Sequence, residues 1–114
     1  MSVYVSNSTI YTGTDFEQTF NLEDSDSNSA KNISGYSGIA KLKRYEKSTN
    51  TSANFTVSFP NPTLGSVKIS LIASQTINLN PGKYFYDLLL TDTQGTVTRV
   101  VEGTILVKRS ITRD

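Results

Sequence analysis

The chain has 114 residues, with eleven basic and ten acidic side chains and a formal net charge of +1. This length is typical of a single domain that can bury a hydrophobic core, and the near-neutral charge provides no overall field to attract nucleic acid or an anionic membrane. Cysteine and histidine are both absent. Their absence excludes disulfides and thiolate zinc sites and removes the most common general base. The composition therefore favours a binding or structural protein over an enzyme and predicts no cofactor.

The amino terminus, Met1-Ser2-Val3-Tyr4-Val5, has no basic stretch followed by an apolar run. We therefore expect neither a signal peptide nor a membrane span, and a protein that is made and kept in the cytoplasm unless an assembly carries it elsewhere. We expect one domain over residues 1–114, flanked by a short N-terminal arm over about residues 1–8 and a polar C-terminal tail over about residues 108–114.

The first half of the chain has apolar residues with period two in short segments between turn-forming clusters, which predicts strands. The clearest strand has one face formed by Phe16, Gln18, Phe20 and Leu22. After a polar loop at residues 23–32, a longer strand is expected. One face of this strand is formed by Tyr36, Gly38, Ala40 and Leu42. A third strand contains Phe55, Val57 and Phe59. Pairing is expected to stop at residues 60–62, because proline cannot donate to a ladder.

The second half continues with a strand that contains Val67, Ile69 and Leu71. Residues 74–79 predict one helical turn capped by Ser74, with Ile77 and Leu79 folded onto the core. The apolar run over residues 84–91 predicts a central strand flanked on both sides. A turn at residues 92–95 leads into the last strand, from Thr96 to about Val107, with a bulge at Glu102-Gly103. The residues expected to share one face of this strand are Val97, Val101, Ile105 and Val107.

About seven to eight short strands at this spacing predict an all-β, immunoglobulin-like, two-sheet antiparallel β-sandwich. One local pattern supports this fold. Leu79, Gly82 and Tyr84 occupy the positions of a tyrosine corner, and Tyr86 stands where antibody domains have a disulfide cysteine. The Tyr84 hydroxyl is then expected to bond the backbone before the turn.

Catalytic and metal sites have little support in the sequence. The segment Asp24-Ser25-Asp26-Ser27-Asn28 alternates oxygen ligands as a calcium-binding loop does, but the required glycine and closing glutamate are missing at the expected offsets. A solvated loop explains the same residues. Serine and threonine nucleophiles have no histidine partner. We therefore predict neither catalytic residues nor a metal site.

Basic residues are densest between positions 41 and 47, where alternation sends Lys41, Lys43, Tyr45 and Lys47 to one side. Two explanations remain open: an edge strand that lysines protect against aggregation, or a face that contacts an acidic protein or a phosphate backbone. This strand and the chain ends provide the candidate partner contacts. They are Met1, Val3, Tyr4, Val5, Lys41, Lys43, Tyr45, Lys47, Lys108, Arg109 and Arg113.

Four stretches distributed along nearly the whole chain, between residues 13 and 103, have a familiar order. They are GTDF at residues 13–16, opening a strand that ends in acidic EDSD at 23–26; ISGY at 33–36, before the lysine-bearing strand; LNPGKYFYDL at 79–88; and GTVTRVVEG at 95–103. This order resembles the immunoglobulin-like modules of tailed-bacteriophage particles, including cyanophage-type virion proteins and N-terminal modules of baseplate upper proteins.

The resemblance implies a non-enzymatic structural protein that resides in the virion after synthesis in the host cytoplasm. Such a protein binds other virion proteins in multiple copies, as an accessory or decoration (cement) protein or as a neck, tail or baseplate component. No shared catalytic residues are carried over, and neither nucleic acid nor membrane is an expected partner.

The second hypothesis is a carbohydrate- or host-surface-binding module. It rests on four tyrosine rings that can stack on sugars, namely Tyr4, Tyr11, Tyr36 and Tyr45. The absence of tryptophan weakens it.

Overall fold

A computed structural model describes residues 4–23, 30–45 and 52–111. Within these ranges, nine strands, one short helix and one 3-10 turn form two facing sheets. The strands are β1 (Tyr4–Val5), β2 (Ser8–Tyr11), β3 (Phe16–Asn21), β4 (Ser37–Lys43), β5 (Ala53–Asn54), β6 (Thr56–Asn61), β7 (Ser66–Leu71), β8 (Gly82–Thr91) and β9 (Val97–Lys108). The 3-10 turn (Pro62–Leu64) precedes β7, and the helix α1 (Ala73–Thr76) follows it.

The strand order identifies the type of sandwich. The larger sheet has the order β1-β9-β8-β4-β5, with β2 also paired to β9, and the smaller sheet has the order β3-β7-β6. Immunoglobulin domains place strands B, E and D in one sheet and C, F and G in the other, and variable-type domains add C′ beside C. Here β3, β7 and β6 match B, E and D; β4, β8 and β9 match C, F and G; and β5 takes the place of C′. The predicted immunoglobulin-like β-sandwich is therefore confirmed, with nine described strands rather than seven to eight.

The described part of the predicted N-terminal arm (about residues 1–8) contains strand residues from Tyr4 onward. Both β1 and β2 pair with β9, and they do so in parallel orientation, so the larger sheet is not wholly antiparallel. Ile10 is fully buried, and Tyr4 packs against the core. Burial of these inward side chains stabilises the paired segment relative to a solvated arm.

The core lies between the sheets and is formed by their inward side chains. The predicted alternation in β3, β4 and β7 is confirmed, because its apolar sets face this core. A fully buried aliphatic side chain contributes about 1.5–3 kcal/mol of transfer free energy. The largest fully buried residues include Leu22, Leu42, Ile69, Leu71, Leu88, Leu90, Val101 and Ile105.

β9 departs from the predicted alternation at Val100. Leu88 pairs with Val101 but Leu89 pairs with Arg99, so Val100 is the extra residue of a bulge. A bulge reverses the alternation beyond it, which is why both Val100 and Val101 are buried. The predicted bulge at Glu102-Gly103 is wrong. Val97 is also not on the core face, since it pairs with outward Thr91 and is 59% exposed.

The helical turn is present but starts earlier than predicted. Ser74 is not its cap: the N–H of Ala73 donates to Asp15 Oδ1 at 2.7 Å. Leu79 is buried as predicted, whereas Ile77 is 39% exposed. Thr76 takes the inward position, where its hydroxyl donates to the carbonyl oxygen of Thr14 at 2.7 Å. The turn therefore begins one residue earlier than predicted, and Thr76 rather than Ile77 faces inward.

Candidate interaction surface

A tyrosine corner fixes the start of β8. The Tyr84 hydroxyl donates to the carbonyl oxygen of Asn80 at 2.7 Å, which ties the turn to the strand it precedes. Leu79 is buried beside this turn. Gly82 has a φ of 143°, and a Cβ there would meet the guanidinium of Arg44. That guanidinium lies 5.0 Å from the centre of the Tyr84 ring, so the corner also anchors the end of β4.

Tyr86 links the two sheets to the N-terminal strands. Its buried ring lies edge-on to Phe55 with centroids 5.9 Å apart, and Phe55 lies 6.1 Å from Phe16 of the smaller sheet. These three rings connect the sheets as the disulfide does in antibody domains. The Tyr86 hydroxyl donates to the carbonyl oxygen of Ser6 at 2.7 Å. Burial raises the pKa of Tyr86 above its ordinary value, although this hydrogen bond acts in the opposite direction.

Gly103 allows the chain between β1 and β2 to lie against β9. The carbonyl oxygen of Ser6 occupies the space that a Cβ at position 103 would need. The adjacent Asn7 Oδ1 accepts hydrogen bonds from both the N–H and the hydroxyl of Thr104, each at 3.0 Å. A glycine in a strand can mark either a bulge or a close backbone approach, and here it serves the approach.

The outward side chains of β1, β2, β4, β8 and β9 form one surface, called the large-sheet face below. Its rows follow from the register: Val5 pairs with Glu102, Glu102 with Asp87, and Asp87 with Lys41. The basic side chains on this face are Lys41, Lys43, Lys83, Arg99 and Lys108, against the two acids Asp87 and Glu102. The large-sheet face therefore has an excess of three positive charges.

Arg99 forms ion pairs with both acidic residues of the large-sheet face. Its Nε lies 3.2 Å from Asp87 Oδ2, and its Nη1 lies 3.3 Å from Glu102 Oε2. Such exposed ion pairs contribute about 0–1 kcal/mol to stability. Lys41 and Lys43 form no ion pair with any described residue. Their charges remain available to an acidic partner.

Apolar side chains lie among these charges. A groove of about 460 Å³ opens on the large-sheet face, lined by residues that include Val5, Lys43, Phe85, Arg99 and Glu102. Lys83 Nζ lies 5.4 Å from the centre of the Phe85 ring. The exposed aliphatic residues on the same face are Val5 at 69%, Ile39 at 53%, Val97 at 59% and Leu106 at 43%. These apolar side chains are spread along the large-sheet face, in different rows of the sheet and interspersed with its charged residues.

β8 is central in the larger sheet, as predicted, with β4 and β9 beside it. The apolar run of β8 predicted a central strand flanked on both sides, and this position is what the sheet order shows. The smaller sheet covers the inward residues, whereas the outward Phe85 and Leu89 are only half-buried. The outer face therefore exposes more apolar surface than a strand with one solvated face usually does.

The predicted partner contacts are divided between several places. Val5, Lys41, Lys43 and Lys108 lie on the large-sheet face. Tyr4 faces the core, and its hydroxyl accepts from the N–H of Glu23 at 3.3 Å. Tyr45 and Arg109 are exposed just beyond β4 and β9. Met1, Val3, Lys47 and Arg113 lie outside the described residues.

Sequence reasoning missed Phe85, Asp87, Arg99 and Glu102 in this surface. Alternation along β8 could have predicted that Phe85 and Asp87 face outward. It could not predict that Arg99 and Glu102 both face outward, because the extra residue at Val100 reverses the alternation between them. The lysine-bearing strand β4 is also not a bare edge, since β5 pairs with it at Lys41 and Leu42.

The four tyrosines of the carbohydrate hypothesis differ in exposure. Tyr4 and Tyr36 are partly buried against the core. Tyr11 is 50% exposed and Tyr45 is 66% exposed. Two of the four rings therefore have faces open for stacking.

Residues 4–23, 30–45 and 52–111 contain neither a metal-binding cluster nor a membrane-spanning helix. Within them, no three acidic, histidine or cysteine side chains come together as a metal site would require. The calcium-like residues 24–28 lie outside these ranges. No helix in the same ranges has the length and apolar character needed to cross a membrane.

No family model matches the chain, and no curated protein does. Among solved structures, it is similar to the internalin-like protein lmo2027 of Listeria monocytogenes, with 11% identity and a TM-score of 0.48 over 93% of this chain and 28% of that one. It is similar to murine CRIg, with 13% identity and a TM-score of 0.42 over 91% and 92% of the two chains. A family 123 glycoside hydrolase from Clostridium perfringens has 10% identity and a TM-score of 0.44 over 96% of this chain and 24% of its own. At these values the similarities do not indicate what the chain binds.

Proposed function

We propose that this domain is a non-enzymatic structural protein of a tailed-phage virion, an accessory or decoration (cement) protein that binds other virion proteins through the large-sheet face. The observation that carries the proposal is the composition of that face, where exposed aliphatic residues lie among basic side chains that exceed the acids by three. The resemblance of the sequence to phage immunoglobulin-like modules supports the virion as the setting. A place in the neck, tail or baseplate would use the same surface.

The expected partner is an acidic protein surface with an apolar centre. Phe85 and Val5 at the groove would meet the apolar part, and Lys41 and Lys43 would meet carboxylates. Complementary charge increases the association rate and fixes orientation, whereas the apolar contacts resist dissociation.

The size of the domain is compatible with attachment in several copies. Its principal extents are 46 × 28 × 20 Å, which leaves room for a standard interface of about 800 Å² per partner. Repeated copies on one particle multiply such contacts through effective concentration. We therefore propose that several copies attach to each virion.

The test is co-sedimentation of the purified domain with particles of the phage that encodes it. The double variant Lys41→Glu/Lys43→Glu is expected to bind at least about tenfold more weakly, since two attractive contacts become repulsive. The single variant Lys31→Glu is the matched control for the single variant Lys41→Glu, because it changes the net charge equally and leaves the large-sheet face intact. Equal binding by these two single variants would contradict the proposal. Selective binding of the isolated domain to a glycan array would instead support the carbohydrate-binding module.

A further inference from the structure

The described strands form four sheet edges, of which three have features that discourage further pairing. Pairing of β6 with β7 is irregular between Ser58 and Asn61, a stretch of the strand that includes Pro60. β5 has only two residues, and on the opposite edge β1 and β2 have two and four and are separated by Ser6 and Asn7. Short strands, prolines and irregularities are the usual protection of edges.

β3 has none of these features. It has six residues and pairs with β7 in continuous register from Phe16 to Asn21. It contains neither proline nor lysine. An edge of this length and regularity is a template for another strand.

The backbone groups at this open edge follow from the ladder on the other side. The N–H of Leu22 donates to the carbonyl oxygen of Gly65 at 2.9 Å, in register with β7. Successive residues of a strand direct their N–H and C=O groups to opposite sides. The backbone N–H and C=O groups that point to the open edge are therefore those of Glu17, Thr19 and Asn21. None of the described residues forms a hydrogen bond with these groups. Glu23 lies an even number of positions from Glu17, Thr19 and Asn21, so its N–H should also point away from β7. It does, because it donates to the Tyr4 hydroxyl oxygen.

The side chains beside this edge are acidic. Asp15, Glu17 and Glu23 alternate along the outer side of the segment. Among the described residues, Lys68 forms their one ion pair, with its Nζ 3.4 Å from Glu17 Oε2. A strand added at the edge would place its outward side chains about 5 Å from these acids, where opposite charges stabilise and like charges destabilise.

We propose that the open edge of β3 binds an extended segment of another protein that carries lysine or arginine at alternate positions, which adds a strand to the smaller sheet. The exposed N–H and C=O groups require an extended backbone, and the acids select a basic one. This site lies on the sheet opposite the large-sheet face, so it goes beyond the proposed function and either can fail alone.

The probe is a labelled synthetic peptide, TKVKVKT, followed by fluorescence anisotropy. Thr19→Pro removes an N–H that faces the open edge, a position where proline is tolerated because the ladder to β7 does not use that group. We expect this variant to keep its thermal midpoint and to bind the peptide at least about tenfold more weakly. Lys41→Glu/Lys43→Glu should bind the peptide no more weakly than the wild type does.

Two further measurements separate strand addition from simple charge attraction. The same peptide N-methylated at its three central residues keeps every charge but cannot pair as a strand, and we expect its binding to be lost. In amide hydrogen exchange, the peptide should protect Glu17, Thr19 and Asn21 while leaving Gln18, already in the ladder, unchanged. Both remain decisive if Thr19→Pro does not fold.

Charge selection has its own reciprocal test. Glu17→Lys should weaken TKVKVKT binding and strengthen binding of the glutamate counterpart TEVEVET. Undiminished binding of the N-methylated peptide, or unchanged binding by a folded Thr19→Pro variant, would overturn the proposal. Self-association of the domain that Thr19→Pro abolishes would also overturn it, by assigning the edge to a second copy.

Discussion

Gly103 is the residue whose replacement tests the packing of the N-terminal strands most sharply. In Gly103→Ala, the new methyl group would occupy the space of the Ser6 carbonyl oxygen, so the Ser6–Asn7 backbone must move away from β9. This displacement would break the contacts that hold the segment. It is expected to leave β2 paired, since β2 joins β9 farther along at Ile105 and beyond.

The cost can be worked out from the bonds that the displacement removes. They are Ser6 N–H to Glu102 O at 2.9 Å, Tyr86 hydroxyl to Ser6 O at 2.7 Å, and the two bonds from Thr104 to Asn7 Oδ1 at 3.0 Å. At about 1 kcal/mol each, with the exposed ones contributing less, the loss is about 2–4 kcal/mol. Alanine in a strand recovers about 0.5–1 kcal/mol of backbone entropy. A net destabilisation of about 1–3.5 kcal/mol is expected.

Urea denaturation followed by circular dichroism measures this change, and amide exchange localises it. Loss of protection should be confined to the Ser6 and Thr104 amides and their neighbours. Gly95→Ala is the control, because a Cβ at this position meets nothing within 4 Å although its φ is 88°. Gly95→Ala should lose only about 1–2 kcal/mol of stability, because alanine is strained at this φ, and it should leave the Ser6 amide protected. A Gly103→Ala variant as stable as the wild type, with the Ser6 amide still protected, would refute the assigned close approach.

Three smaller predictions concern the hairpin and its tyrosines. Tyr84→Phe removes the hydrogen bond to Asn80 and should cost about 1 kcal/mol in urea unfolding, without loss of the fold. Because burial raises the folded-state pKa of Tyr86, the unfolded chain ionises first, and the contribution of the neutral ring is complete below the unfolded pKa of about 10. Stability should therefore fall more steeply above about pH 10 in the wild type than in Tyr86→Phe, and parallel pH profiles would contradict the assignment. Asp92→Ala removes the carboxylate that accepts two turn N–H groups at 2.9 Å and should cost about 1–2 kcal/mol, measured by the same unfolding assay.

The features that sequence reasoning located correctly have local causes. Alternation in β3, β4 and β7 depends on neighbouring residues alone, and so does the hairpin turn at Asp92, whose carboxylate bonds its own turn. The spacing of Leu79, Gly82 and Tyr84 marks the start of β8 for the same reason. In each case the interacting groups lie within a few positions of one another.

The features that were missed depend on partners distant in sequence. The parallel pairing of β1 and β2 with β9 joins residues nearly one hundred positions apart, and nothing local announces it. Gly103 suggested a bulge because its true neighbour, Ser6, cannot be identified without the fold. Consecutive Val100 and Val101 were a local sign of the real bulge, since two adjacent buried residues break strict alternation.

The part of the large-sheet face that depends on local alternation could be predicted, whereas the part that depends on pairing between distant strands could not. Alternation alone placed Lys41 and Lys43 on one side of their strand. The register of four strands was needed to bring Val5, Asp87 and Glu102 into the row with Lys41. Only the three-dimensional structure shows that Arg99 forms ion pairs with both acids, while Lys41 and Lys43 form none with any described residue.

A structure of the assembled particle, with density assigned to this domain, tests the docking role most directly. The large-sheet face should be buried against a neighbouring virion protein, with Lys41 and Lys43 within about 4 Å of its carboxylates. A domain bound to the particle with that face open to solvent, or no density for the domain on the particle, would contradict it.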